Sequence, residues 1–173
     1  YVIKAEKEGY NAVMISCMVD PGLLEARSVV DIPVTGTMET SLLMASIMGD
    51  KFSIITPCPA SGKAEERLAR NYGFKDKLIS VRNIGITANK LYPEITPPEE
   101  VKKRVVREAN KCMEDGAEVI IPGCTLIGAM LTTYFEKEIG REIKVVIFDP
   151  MIVTFKFTEM VADLGRILGL PML

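Results

Sequence analysis

The sequence predicts an α/β fold built on a largely parallel sheet. Three observations carry this. Short apolar runs alternate with longer stretches of helical period, and most runs end in a loop of Pro, Gly, Thr or Cys from which the next helix departs. No low-complexity segment or flexible linker interrupts the alternation, so any division into lobes is made by compact crossovers.

Residues 1–9 read as the tail of a helix already under way. The chain opens on Tyr1 rather than Met, which predicts residues upstream and leaves a leader peptide open. Asn11 to Ser16 (NAVMIS) has the content of a buried strand, and Cys17 follows it directly. Pro21-Gly22 turns the chain into a helix from Leu23 to about Val30. Asp31 to Gly36 reads as a loop, and Thr37 to Met48 as a second helix. Phe52 to Thr56 (FSIIT) is the next strand, closed by Pro57-Cys58-Pro59. Ser61 is placed to cap a helix with Glu65 and Glu66 in its first turns and its end near Tyr72-Gly73. Leu78 to Ile84 is a further strand. Thr96-Pro97-Pro98-Glu99-Glu100 predicts a helix start, with Thr96 as cap, and that helix runs to Asp115-Gly116. Glu118 to Ile121 is a strand delivering Pro122-Gly123-Cys124-Thr125, with a helix over Leu126 to Ile139. The last pair is strand Lys144 to Phe148 and helix Met151 to Leu168.

Composition excludes several classes of partner. The 173 residues are 48% hydrophobic, enough for a sizeable core. Net charge is −2, from 21 basic and 23 acidic residues, and aromatics are 6% with no tryptophan. There is no basic field and little for base stacking, so no nucleic acid partner is expected, and the ligand expected is a small neutral or anionic molecule. The apolar runs fall far short of the roughly 20 residues that span a bilayer, so no membrane segment is expected. Four cysteines without a CxxC pair predict reduced thiols in a cytoplasm. No GxGxxG or GxxxxGK[ST] is present, and no cysteine or carboxylate pair has short ligand spacing, so neither a nucleotide loop nor a metal site is predicted.

The chain contains no histidine, which excludes any Cys-His or Ser-His-Asp nucleophile system. Cys17 and Cys124 each end an apolar run at the expected mouth of a helix, where amide N–H groups and a positive partial charge favour thiolate and oxyanion. The simplest base available to each thiol is the other. Cysteine is also a common buried hydrophobe, and spacing alone leaves catalysis and packing equally open. Cys112, inside a helical run, is read as packing, whereas Cys58 between two prolines could line the same cleft without being a base. Lys102-Lys103-Arg104 is read as a solvated helix face, and Glu39 as an acid favoured by the helix dipole. A ligand-binding module with core cysteines and a redox pair stay open as alternatives.

The segment Cys17-Met-Val-Asp20-Pro21-Gly22-Leu23-Leu-Glu-Ala26-Arg27, followed by Pro33-Val34-Thr-Gly36-Thr-Met-Glu39-Thr-Ser41, resembles the first cysteine region of hydantoin racemases in the aspartate/glutamate racemase superfamily. Pro122-Gly123-Cys124-Thr125-Leu-Ile-Gly128 resembles the superfamily's second cysteine loop. The resemblance implies two pseudo-symmetric lobes, each a mainly parallel sheet flanked by helices, with the active site between them. Residues 1–48 plus 149–173 would form the first lobe and 49–148 the second. It further implies a racemase without cofactor or metal, with Cys17 and Cys124 as acid/base thiols. Met18, Val19, Gly123 and Thr125 would hold substrate oxygens, and Thr56 would contact ligand. The expected substrate is a 5-substituted hydantoin or related compound. An aspartate- or glutamate-type racemase and a maleate isomerase or decarboxylase on the same scaffold are the alternatives. A homo-oligomer is expected.

Three departures from the family pattern bear on substrate. The family's N-terminal strand with its Asn-Pro-Asn loop is not among these residues, as expected of a chain with residues missing upstream; Thr56-Pro-Cys58-Pro-Ala60 stands where an arginine is common; and Thr125 replaces the alanine usual in hydantoin racemases.

Overall fold

The computed structural model describes residues 1–142 and 144–168, with side chains described for 1–135 and 144–168. The predicted α/β class is what forms: parallel sheets flanked by helices. After a short helix α1 (Val2–Lys7), strand β1 (Val13–Ile15) pairs in parallel with β2 (Val34–Gly36). The second sheet has the order β4-β3-β5-β6, from β3 (Phe52–Thr56), β4 (Leu78–Asn83), β5 (Val119–Pro122) and β6 (Val146–Ile147), again all parallel. Every residue of β3 and β5 is buried, as expected of central parallel strands covered on both faces.

The helices are α2 (Leu23–Arg27), α3 (Thr37–Met48), α4 (Pro59–Asn71), α5 (Pro98–Glu114), α6 (Thr125–Glu142) and α7 (Pro150–Leu168). Helix α7 returns to the first sheet. Buried Thr154 on α7 lies 2.8 Å from Thr40 on α3, hydroxyl to hydroxyl, and Thr158 lies 2.6 Å from Thr35 on β2. Met18, Met38, Leu42, Phe52, Ile54, Val119 and Ile121 form one buried cluster, so the turn after β1 is anchored on the second sheet.

The strand β3 and the helix α3 match their expected bounds, and several other elements are shifted. The expected loop over 31–36 contains β2. Three residues preceded by Pro33 and ending in Gly36 carry too little local signal, and β2 is stabilised by pairing with β1, where Val13 N–H donates to Pro33 O at 2.8 Å. Helix α2 stops at Arg27, short of Val30. Helix α4 begins at Pro59 with Cys58 at the N-cap, so Ser61 lies inside the helix; proline suits this first position because the N–H it lacks would be unpaired there. Helix α5 begins at Pro98 with Pro97 before it, so Thr96 does not cap it. Helix α6 departs from helical geometry at Phe135, where φ is −136°. Its expected end near Ile139 falls where side chains are not described, and the last five residues assigned to the first lobe lie outside the described residues. The solvated reading of Lys102 is also corrected: Lys102 is buried, its ammonium 4.6 Å from the centre of the Phe135 ring.

Candidate functional site

Cys17 leaves the carboxyl end of β1 in a tight turn. Its N–H donates to Ile15 O at 3.0 Å, and its carbonyl accepts from Asp20 N–H at 3.0 Å. Asp20 takes the left-handed conformation at φ 42°, which aspartate tolerates better than most residues. The Asp20 side chain is thereby turned inward. Its Oδ1 accepts Met38 N–H at 2.9 Å, and its Oδ2 accepts Glu39 N–H at 3.0 Å and the Tyr72 hydroxyl at 3.0 Å. Asp20 thus satisfies the free amides of the first turn of α3 and places a carboxyl at its positive end. Burial raises its pKa, opposed by these three hydrogen bonds. Gly36 is required for this approach, since a Cβ there would lie 2.6 Å from Asp20 Cγ.

The expected helix mouth at Cys17 is not what forms. Helix α2 starts only after Pro21-Gly22 and is five residues long, so the surroundings of Cys17 are a turn. Local sequence could not distinguish these, because the turn is closed by the distant capping of α3. Met18 is buried while Val19 is at the surface, and Cys17 between strand and turn is partly exposed. Glu39 is held by Arg27, whose two terminal nitrogens donate to its oxygens at 3.0 and 2.6 Å.

Cys124 is presented as expected. Gly123 N–H donates to Ile55 O at 2.8 Å, tying the loop to β3, and Thr125 is the first residue of α6. Gly123 is buried; Cys124 and Thr125 are partly exposed. Burial pushes the Cys124 thiol up, backbone N–H groups of Leu126 and Ile127 pull it down, and the charges of Glu65 and Cys17 push it up further. All four cysteines are free.

Two further groups share this neighbourhood. At the N-cap of α4, Cys58 is 3.6 Å from the Ser61 hydroxyl, and the Ser61 backbone N–H, the same hydroxyl and the Ala60 N–H lower its pKa. Glu65 is fully buried and takes a hydrogen bond from the Thr56 hydroxyl at 3.1 Å; burial raises its pKa to about 8. Thr56, expected to meet ligand, is itself buried with its hydroxyl engaged by Glu65. In the sequence Glu65 reads as an ordinary acid of the first turns of a helix. The available signal was its spacing from Gly62 and Ala69, which puts an acid on the face of small, buried residues. Cys112 is buried in α5, as packing requires, near the Ser80 hydroxyl at 3.8 Å.

Among the described residues there is no group of three or more His, Cys, Asp and Glu placed to hold a metal ion, and no helix is long and apolar enough to cross a membrane.

Residues 1–158 match the family model described as Asp/Glu/Hydantoin racemase. The chain is 35% identical over 167 residues to the hydantoin racemase of Pseudomonas sp. (strain NS671), covering 94% of this chain and 63% of that relative. It is 31% identical over 168 residues to the hydantoin racemase of Paenarthrobacter aurescens, covering 95% of this chain and 67% of the relative. The chain thus spans about two thirds of the length of these relatives. In three dimensions it is similar to the allantoin racemase from Klebsiella pneumoniae, with TM-score 0.81 and 30% identity over 95% of this chain and 64% of that one. Two cysteine loops at strand ends, parallel sheets flanked by helices and these similarities converge: the chain belongs to the Asp/Glu/hydantoin racemase family.

Proposed function

We propose that this chain is a cofactor-independent racemase that interconverts the enantiomers of 5-substituted hydantoins or related cyclic ureides by two-base proton transfer between Cys17 and Cys124. The observation that carries it is the placement of both thiols just after the carboxyl ends of parallel strands, β1 and β5. One thiolate takes the proton from the ring carbon beside the carbonyl, and the C–H electron pair passes into the ring carbonyl as an enolate. The opposing thiol then protonates that carbon from the other face, which leaves the pair with roles exchanged. The flanking carbonyl acidifies the carbon, so the chain's own groups suffice for the chemistry. Backbone amides of Met18, Val19 and Thr125, the Gly123 turn and the Thr125 hydroxyl hold the substrate's oxygens in this reading.

The relatives named hydantoin racemase and the neighbour named allantoin racemase support a five-membered cyclic ureide over a dicarboxylate. Residues 1–48 with 149–173 and residues 49–148 form the two lobes around the site. The enzyme works in the cytoplasm as a homo-oligomer.

Polarimetry on single enantiomers of a hydantoin panel, allantoin, aspartate and glutamate tests the reading. Turnover of a hydantoin or allantoin, abolished in both Cys17→Ser and Cys124→Ser, is the expected result. In deuterium oxide each variant retains exchange of one enantiomer at most. Full racemase activity in either serine variant overturns the mechanism, and turnover confined to the dicarboxylates overturns the substrate.

A further inference from the structure

Glu65 is the seventh residue of α4, with 1% of its surface exposed. Its Oε1 accepts from Thr56 at 3.1 Å, while Oε2 is buried with no hydrogen-bond partner in the described structure. Oε2 fills the space that a Cβ at Gly123 would need, and Ile54 lines the same space. An aliphatic side chain would serve packing here without stranding a polar atom, so the carboxyl calls for another explanation.

We propose that Glu65 is a positioning residue for Cys124, wedged as a proton-carrying carboxyl beneath the Gly123-Cys124 turn so that its charge state governs how readily that thiol ionises. This rests on the reading of Cys124 as one of the two acid/base thiols. The groups that act on the pair are few. Cys58, at the N-cap of the same helix, acts on Glu65 through its charge, and Cys17, in the turn after β1, acts on Cys124 in the same way. The remaining ionisable side chains of α4, Lys63, Glu66, Arg67 and Arg70, are exposed. Strands β3 and β5 carry no ionisable side chain, Arg82 on β4 pairs with Asp115 at 2.6 Å, and Glu39 on α3 pairs with Arg27 at 2.6 Å.

At pH 7 the buried acid is neutral and adds no charge against the Cys124 thiolate. Above about pH 8 Glu65 ionises, and its charge holds Cys124 as the thiol. Thr56 enters through the same carboxyl, because its hydroxyl favours the ionised form.

The test is the pH dependence of Cys124 alkylation by iodoacetamide, read by mass spectrometry of the Cys124 peptide in the whole chain. Wild type and Glu65→Gln should alkylate at matching rates at pH 6 to 7, where both carry a neutral side chain. At pH 9 the glutamine variant should alkylate roughly fivefold faster, as expected when a neighbouring negative charge is removed. Coincident curves overturn the proposal. Should Glu65→Gln not fold, Thr56→Val gives a second reading: Glu65 then ionises at higher pH, and the slowing of Cys124 alkylation moves up with it. Infrared spectroscopy of wild type adds a check without any variant, since a protonated carboxyl band should persist to about pH 8; its loss by pH 6 overturns the proposal. Alkylation needs no turnover, so a failure of the racemase reading leaves this result standing and is scored separately by polarimetry.

Discussion

The Tyr72 hydroxyl donates a hydrogen bond to Asp20 Oδ2 at 3.0 Å, joining the end of α4 to the turn that carries Cys17. Asp20 already accepts two amides of α3, so one buried carboxylate fixes the relation between that turn, a helix start and a helix end. Asp20→Ala should destabilise the fold by about 2–4 kcal/mol, since it removes a cap and leaves buried donors unpaired. Tyr72→Phe should cost only about 1 kcal/mol. Thermal denaturation measures both, and an Asp20→Ala protein as stable as wild type would contradict the anchoring role.

Gly123 and Glu65 form a steric pair. Gly123→Ala should be destabilising because its Cβ meets Glu65 Oε2, and the loss should shrink in a Gly123→Ala/Glu65→Ala background, where the obstacle is gone. A double-mutant cycle in urea reads the coupling; purely additive effects would dissolve the pairing.

Stability should fall with rising pH through Glu65. In the unfolded chain this acid ionises near 4.5, but in the fold only near 8, so its contribution is complete below about pH 4.5 and is lost as pH rises to about 8. The full loss is on the order of 5 kcal/mol. Glu65→Gln lacks this titration, so its melting temperature should gain on wild type between pH 5 and 8 and hold a constant lead above that. Parallel melting curves from pH 5 to 9 would contradict this.

The three shifted thiols should label in a fixed order. Cys58 is pulled down by the amides of Ser61 and Ala60 and by the Ser61 hydroxyl, whereas burial pushes Cys124 and Cys112 up, and Cys112 has no exposed surface. As pH is raised from 6, iodoacetamide should modify Cys58 first, then Cys124, and Cys112 only on unfolding. Peptide mapping reads the order, and early labelling of Cys112 would contradict the packing.

Much of the architecture was legible because local pattern and fold agree. Phe52 to Thr56 and Thr37 to Met48 have bounds that hydrophobic content alone defines. Where local signal is short or ambiguous it misled: β2 depends on its pairing with β1, and α4 and α5 start on Pro59 and Pro98 rather than behind Ser61 and Thr96 as caps. In the sequence Asp20 is one residue of a motif and Glu65 an acid near a helix start, because nothing in one dimension tells a solvated carboxylate from one packed against a distant glycine.

By itself the sequence determined the α/β class, the lack of a histidine base and the emergence of two thiols from strand ends, since these follow from residue identity and period. Only the tertiary structure decided that the two thiols sit in unlike surroundings. Cys17 is in a turn closed by Asp20, and Cys124 is at a helix start above a buried acid. The physical reason is that burial and charge proximity, which set how easily each proton leaves, are properties of packed neighbours rather than of the chain.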